Sequence, residues 1–218
     1  MAAARKRVAI LVSGRGSNMA ALIEAAAQPD YPAEIVAVIS NRPGAGALDI
    51  AARAGVATTV VDHKAYASRA AFDEALDAEL ARIAPDIVCF AGFMRLLTPG
   101  FIERWEGRMI NIHPALLPSF KGLDTHARAL ESGVRLHGCT VHLVTAEMDA
   151  GPIVAQAAVP VLEGDDEDAL AARVLAAEHR LYPRALAMWA RGEARLEGGR
   201  VVVDSGASGE PAPALIWP

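Results

Sequence analysis

The chain has 218 residues, of which 53% are hydrophobic and 22% charged, and its formal net charge is −5. A chain of this size and composition suits one compact domain, and its negative balance disfavours broad contact with nucleic acid or with an anionic membrane surface. No apolar run approaches the roughly 20 residues that a membrane span needs. Cys89 and Cys139 lie in apolar segments, which is typical of buried, reduced thiols in a cytoplasmic protein.

Strand-like and helix-like segments alternate through the first half of the chain. Short β-branched or apolar runs indicate strands, and apolar residues at helical spacing, such as Phe72, Leu76 and Leu80, indicate helices. In chain order the sequence predicts strand 8–12, helix 18–28, strand 34–40, helix 48–54, strand 57–61, helix 69–83, strand 87–91, helix 100–105 and strand 109–113. This alternation predicts an α/β fold with a doubly wound, mostly parallel sheet.

The pattern changes after Pro118. The sequence then predicts helix 125–131, strands 137–144 and 153–161, a long helix over 167–191 and a hairpin around 198–199. Pro183 is expected to kink or break the long helix. We therefore expect a mixed C-terminal part at one side of the sheet, within a single domain over residues 1–204, followed by an irregular tail over 205–218.

Residues 109–114, with the sequence MINIHP, place two polar side chains at the end of a predicted strand. Pro114 cannot continue a strand inside a sheet, so the strand should end at His113. Asn111 and His113 are two residues apart and therefore point to the same side of the strand. Because ligands collect at the carboxyl ends of parallel strands, the pair is a candidate for catalysis. A buried, hydrogen-bonded pair that only closes the strand is the alternative.

A glycine-containing loop, residues 13–18 with the sequence SGRGSN, follows the first predicted strand and opens the first helix. Glycines let the backbone approach an anion closely, and the free N–H groups at a helix N-terminus favour phosphate. The loop lacks the third glycine of a dinucleotide fingerprint and the Gly-Lys-Ser/Thr of a Walker loop. It predicts a phosphate site of another kind. The alternative is a tight turn in which Ser17 or Asn18 caps the helix.

The run Ala91–Leu97, with the sequence AGFMRLL, follows the strand predicted over 87–91. Apolar side chains around open main chain favour binding of a flat heterocycle through backbone hydrogen bonds. A hydrophobic loop that packs on the next helix explains the same pattern.

Residues 147–152, with the sequence EMDAGP, join two predicted strands. These residue types suit a turn without any function. If Asp149 approaches His113, however, its negative charge favours the protonated imidazole. Spacing in the sequence does not decide between the two interpretations.

Glu178 lies on the apolar stripe of the long helix with Leu170 and Val174, where a carboxylate needs a polar partner or a substrate hydroxyl. The remaining histidines have no metal-ligand spacing, so no metal site is predicted. They are expected to be structural or surface groups at positions 126, 137 and 142, and surface groups at positions 63 and 179.

The blocks GRGSN, AGFMRLL, NIHPALLPSFKGLDTHARALESG, HGCTVHLVT and MDAGPIVAQ together resemble phosphoribosylglycinamide formyltransferases over about residues 7–195. The NIHP, LLP and HG elements are common to folate-dependent formyltransferases, whereas the GRGSN loop is the selective part. Methionyl-tRNA formyltransferases resemble the same core but have a different first loop and an added C-terminal domain. Formyltetrahydrofolate deformylases have an extra N-terminal domain. Arg15 and residues 119–121 are not positions that define the family, and Asp124 stands where a histidine is common in relatives.

The resemblance implies a Rossmann-like formyltransferase fold and transfer of the formyl group of 10-formyltetrahydrofolate to the amine of glycinamide ribonucleotide, in purine synthesis. Matching positions assign catalysis to Asn111, His113 and Asp149. They assign the ribonucleotide to Gly16, Ser17, Asn18 and Glu178. They assign the folate to Arg69, Met94, Arg95, Leu96, Leu97 and Asn111. We further expect a cytoplasmic monomer or homodimer that binds these two small molecules, without a metal, a nucleic acid or a membrane as partner.

Two other function classes stay open. A different enzyme that transfers or hydrolyses formyl groups would keep the catalytic trio but would not need the GRGSN loop. A non-catalytic Rossmann-like binding module would need the loop but not the trio. The presence of both favours the formyltransferase.

Overall fold

A computed structural model gives the structure of residues 4–204. The strands are β1 (Lys6–Val12), β2 (Ala33–Ser40), β3 (Thr58–Val60), β4 (Ile87–Phe90), β5 (Met109–His113), β6 (Leu136–Leu143), β7 (Ile153–Pro160), β8 (Ala194–Glu197) and β9 (Arg200–Val203). The α-helices are α1 (Ser17–Ala26), α2 (Gly46–Arg53), α3 (Arg69–Ile83), α4 (Pro99–Arg104), α5 (Thr125–Glu131) and α6 (Glu167–Arg191). The bounds of the predicted elements agree with these within about two residues, and a 3-10 turn over His63–Ala65 is additional. The predicted tail over 205–218 lies outside the described residues.

Seven strands form one sheet in the order β3-β2-β1-β4-β5-β6-β7. Strands β1 to β5 pair in parallel, whereas β6 runs antiparallel to β5 and β7 runs antiparallel to β6. The prediction of a doubly wound, mostly parallel sheet with a mixed C-terminal part is confirmed. The winding reverses between β1 and β4, and in such sheets ligands bind at the carboxyl ends of the strands near this switch point.

Apolar cores cover both faces of the sheet because successive strand residues point in opposite directions. On one face Val8 and Ile10 of β1 pack with α1, α2 and α6, and on the other Ala9 and Leu11 pack with α3 and α4. Burial on both sides explains why these strands read as nearly continuous apolar runs. Both cysteines are buried free thiols, as predicted.

Of the predicted kink or break at Pro183 the break is wrong, because the long helix α6 continues through Pro183 to Arg191. Tyr182 and Ala185, on either side of the proline, are fully buried in the core. This packing outweighs the roughly 3 kcal/mol that a proline costs inside a helix. The Pro183 carbonyl also accepts a 2.7 Å hydrogen bond from the Tyr31 hydroxyl. In the described part of the chain no helix is both long and apolar enough to cross a membrane.

Two arginines near the start of the chain bind main-chain carbonyls. The guanidinium of Arg5 donates to the carbonyl of Ala26, and that of Arg7 donates to the carbonyls of Ile83 and Ala84. Ala26 and Ile83 end α1 and α3, where carbonyls lack helical partners and positive charge is favourable. These arginines therefore stabilise helix ends at the amino edge of the sheet.

Candidate active site

The carboxyl end of β5 brings the predicted catalytic trio together. Asn111 and His113 lie on the same side of the strand, and His113 is buried. Oδ2 of Asp149 lies 3.4 Å from Nδ1 of His113. The other ring nitrogen, Nε2, donates to the main-chain carbonyl of Phe120 at 3.0 Å. Both nitrogens of His113 thus face acceptors, which suits an imidazolium with two N–H donors.

Asp149 has contacts beyond this histidine. Its Oδ2 also accepts from the main-chain N–H of Gly122 at 2.9 Å, and its Oδ1 lies 3.7 Å from Nε2 of His142. The Asp149 backbone is left-handed, with φ at 52°, a conformation that Asp tolerates better than most residues. The turn that the sequence indicated therefore directs a carboxylate into the site, and the contact with His113 is present.

His142, which the sequence analysis did not assign to the site, lies beside the trio. Because β6 pairs antiparallel with β5, His142 lies directly opposite Asn111. Its Nε2 accepts from the Asn111 side-chain amide at 3.1 Å, and its Nδ1 donates to the Leu143 carbonyl at 2.9 Å. Burial lowers the pKa of His142, so the ring is neutral at pH 7 and Nε2 remains an acceptor. The register of β5 against β6 identifies this residue, and the sequence pattern does not contain that register.

Two predicted ribonucleotide residues from distant parts of the chain meet. Nδ2 of Asn18 donates to Oε2 of Glu178 at 2.8 Å. Glu178 is 6% exposed, on the buried side of α6 as predicted. Burial raises the pKa of Glu178 to about 7, and the hydrogen bond from Asn18 opposes this shift. Oδ1 of Asn18 is buried and has no partner among the described residues.

The glycine loop ends at the N-terminus of α1. Gly16 caps this helix in a left-handed conformation with φ at 82°, so neither Ser17 nor Asn18 is the cap. A Cβ at Gly16 would lie 2.6 Å from Cβ of Ala47, so the packing of α2 also requires glycine. No side chain caps the helix and its first turn has no acidic residue. The first N–H groups are therefore open to an anion.

The predicted folate run, residues 94–97, lies after the carboxyl end of β4. Met94 and Leu96 have side chains that are 63% and 57% exposed. The main-chain N–H groups of Arg95, Leu96 and Leu97 have no partner among residues 4–204. The N–H of Met94 differs, because it donates to the Ser13 hydroxyl at 2.8 Å. Exposed apolar side chains beside open main-chain donors fit a flat heterocycle.

Helix α3 lies beside this run. Arg69 is exposed at the start of the helix, and one turn later the ring of Phe72 lies 5.9 Å from the guanidinium carbon of Arg95. The buried Asp73 accepts from the main-chain N–H of Thr98 at 2.6 Å. The start of α3 thus holds the chain just after the C-terminal end of the folate run.

Two further histidines pack next to Phe120. The rings of His126 and His137 meet edge to face with centroids 5.4 Å apart, and Phe120 packs against His137. Neither ring nitrogen of the buried His137 has a partner in the described part of the chain, and burial lowers its pKa to about 4. Burial also lowers the pKa of His126. His63 and His179, predicted at the surface, are half-buried. Over residues 4–204 no group of three or more His, Cys, Asp or Glu side chains is placed to hold a metal ion.

Known proteins are similar to this chain in sequence and in fold. The family model described as formyl transferase matches residues 6–186. The crystal structure of phosphoribosylglycinamide formyltransferase from Brucella melitensis is 59% identical, with a TM-score of 0.83 over 85% of this chain and 96% of that chain. Phosphoribosylglycinamide formyltransferase of Escherichia coli is 43% identical over 90% of this chain and 93% of its own length. The trifunctional purine biosynthetic protein adenosine-3 of Bos taurus is 50% identical over 90% of this chain, which spans only 20% of that protein.

Proposed function

The chain belongs to the formyl transferase family, among the phosphoribosylglycinamide formyltransferases, and from that premise we propose that Asn111, His113 and Asp149 catalyse formyl transfer. The reaction moves the formyl group of 10-formyltetrahydrofolate to the amine of N1-(5-phospho-D-ribosyl)glycinamide. It gives the N-formyl product and tetrahydrofolate, in de novo purine biosynthesis. The observation that carries the assignment is the His113 ring held between Asp149 and the Phe120 carbonyl, beside Asn111.

Attack of the amine on the formyl carbon places negative charge on the formyl oxygen, and the site must stabilise that oxyanion. The 3.4 Å between Nδ1 of His113 and Asp149 exceeds the roughly 2.7–2.9 Å of a full charge-assisted hydrogen bond. The Nδ1–H is therefore still available to the formyl oxygen, while the carboxylate stabilises the positive ring. The Asn111 amide has two N–H groups, one of which is bonded to His142. The second supplies another donor to the oxyanion.

The proton that the amine loses must reach the folate nitrogen that leaves. Asp149 is placed to organise a water molecule that carries this proton, as a general base and then a general acid. The C–N bond to the amine forms, the bond to the folate nitrogen breaks, and no covalent intermediate with the enzyme is needed.

The ribonucleotide and folate assignments follow the open groups at the carboxyl edge of the sheet. Gly16, Ser17 and Asn18 offer helix N–H groups to the phosphate, and the Asn18–Glu178 pair offers polar atoms to ribose hydroxyls. The folate ring binds the main chain of Arg95, Leu96 and Leu97 and packs on the apolar side chain of Met94. Arg69 binds a folate carboxylate. We further propose that the protein is a cytoplasmic monomer or homodimer, and sedimentation velocity tests its assembly state.

Purified protein mixed with both substrates tests this proposal. We expect tetrahydrofolate and the N-formyl ribonucleotide to appear in equal amounts, detected by mass spectrometry. Release of formate from 10-formyltetrahydrofolate without the ribonucleotide would instead indicate a deformylase. Binding of either substrate without turnover would indicate a non-catalytic module.

A further inference from the structure

Ser13, the first residue after β1, joins the glycine loop to the folate run. Its main-chain N–H donates to the Gly92 carbonyl at 3.1 Å, and its hydroxyl oxygen accepts from the Met94 N–H at 2.8 Å. The same hydroxyl donates its proton to Oδ1 of Asn41 at 2.5 Å. Ser13 is 3% exposed, and its bond to Asn41 is buried, whereas its bond to the Met94 N–H is part-buried.

The orientation of this hydroxyl is fixed by its neighbours. A serine hydroxyl has one proton and two lone pairs, and Asn41 takes the proton, which leaves the lone pairs for Met94. Asn41 is itself held by His63, whose Nδ1 donates to the main-chain carbonyl of Asn41 at 2.8 Å. The acceptor presented to the Met94 N–H is therefore built from the ends of β1 and β2.

The folate run is held at both of its ends by side chains from other elements. Ser13 binds the N–H of Met94, and Asp73 binds the N–H of Thr98. The N–H groups of residues 95–97, between these anchors, have no partner among the described residues. These two anchors fix the position of residues 95–97 next to the glycine loop, on the other side of the switch point of the sheet.

We propose that Ser13 is a positioning residue, which holds the folate run at the place where the formyl group meets the amine bound beside the glycine loop. It acts through the Met94 N–H. The inference rests on the proposed function, because it takes the main chain of residues 95–97 as the folate contact.

Kinetics of Ser13→Ala test the role. Loss of the acceptor leaves a part-buried N–H unpaired, so we expect the KM for 10-formyltetrahydrofolate to rise about tenfold, with a lower kcat. The Kd of the ribonucleotide alone, measured by calorimetry, should stay at the wild-type value. Hydrogen exchange of the Met94 amide, followed by NMR, should become about tenfold faster.

Two variants separate the hydrogen bond from packing. Ser13→Cys keeps a small side chain but is a weak acceptor, so it should match Ser13→Ala. Ser40→Ala removes a buried serine at the end of β2 whose hydroxyl, within residues 4–204, bonds only to the main chain of Arg42. Ser40→Ala should leave the folate KM at the wild-type value.

An unchanged folate KM in Ser13→Ala, an equal rise in Ser40→Ala, or wild-type kinetics in Ser13→Cys would each overturn the role of the hydroxyl. If Ser13→Ala does not fold, the exchange rate and kinetics of Ser13→Cys decide. Wild-type protein is assayed first. Its failure to transfer formyl groups would reject the proposed function, whereas an active wild type with unaltered variants would reject only the role of Ser13.

Discussion

At the scale of single residues, Asp149 has two contacts that one substitution can separate. Its Oδ2 accepts from the Gly122 N–H and also faces His113. Asparagine at this position keeps an acceptor for Gly122 and removes the negative charge beside the imidazole. The substitution therefore tests the charge without removing the support for the neighbouring loop.

We expect Asp149→Asn to fold and to bind the ribonucleotide normally, with kcat lower by about a hundredfold to a thousandfold, the typical cost of losing one oxyanion donor. Steady-state kinetics and calorimetry measure the two quantities. Glu147→Gln is the matched control, because Glu147 is an exposed carboxylate of the same loop, paired with Lys121. Near-normal turnover of folded Asp149→Asn would leave the segment with a structural role only.

Glu178 gives a prediction on stability and pH. Its pKa is raised to about 7 in the folded protein from an unfolded value near 4.5. The unfolded chain therefore loses this proton more readily, and stability is lost as pH rises from about 4.5 through 7. Between pH 5 and pH 8 this loss amounts to about 2 kcal/mol for wild type, and Glu178→Gln should remove it.

Urea unfolding at pH 5 and pH 8 measures the change. Glu24→Gln, an exposed carboxylate on α1, is the control and should keep the wild-type difference between the two pH values. The same difference in Glu178→Gln as in wild type would mean that folding does not raise the pKa of Glu178.

At the scale of elements, the glycine loop depends on one of its two glycines. Gly16 is left-handed and touches Ala47, whereas a Cβ at Gly14 would meet nothing within 4 Å. We expect Gly16→Ala to lower the free energy of unfolding by at least about 1 kcal/mol and to raise the ribonucleotide KM, because it strains the helix start. Gly14→Ala should leave stability unchanged. Thermal unfolding of both variants tests this, and equal effects would contradict the role of Gly16.

The elements that the sequence predicted best are those with local signals at their ends. Helix α3 begins after Ser68, whose Oγ accepts from the Ala71 N–H, and α6 ends at the left-handed Gly192. Local signals failed where tertiary packing decides, as at Pro183 inside α6. They also placed the start of α1 at Asn18 rather than after Gly16, because the contact with α2 is invisible in the sequence.

The candidate site shows the same division. Asn111 and His113 could be found because they share one strand, and Glu178 because it interrupts an apolar stripe. His142 could not be found, because its role depends on the register between β5 and β6. The Ser13 hydroxyl likewise acquires its partner only when β1 and β4 become neighbours.

At the scale of the whole molecule, buried neutral histidines make stability depend on acid. Burial lowers the pKa of His126, His137 and His142, so each takes up protons more readily in the unfolded chain. Their contribution is fully present above the unfolded pKa of about 6.5 and is lost as pH falls toward the folded values. We expect these histidines to lower the free energy of unfolding as pH falls from 6.5 to 4, against the opposite contribution of Glu178.

His137→Leu isolates one part of this effect. The His137 pKa of about 4 implies that this ring alone costs wild type about 2 kcal/mol between pH 7.5 and pH 4.5. The variant should lose that much less over the same interval in urea unfolding. An unchanged difference would show that the folded protein does not lower the pKa of His137.

The loop over residues 120–122 meets His113 and Asp149 through its main chain. His113 uses the carbonyl of Phe120, and Asp149 uses the N–H of Gly122. Every amino acid offers the same carbonyl, so we expect substitutions of Ser119 and of Lys121, which pairs with Glu147, to leave these two contacts in place. These contacts depend instead on backbone shape, above all at Gly122, whose φ of 83° favours glycine. Substitutions in this loop can therefore change the surface charge and solubility of the protein beside the candidate active site.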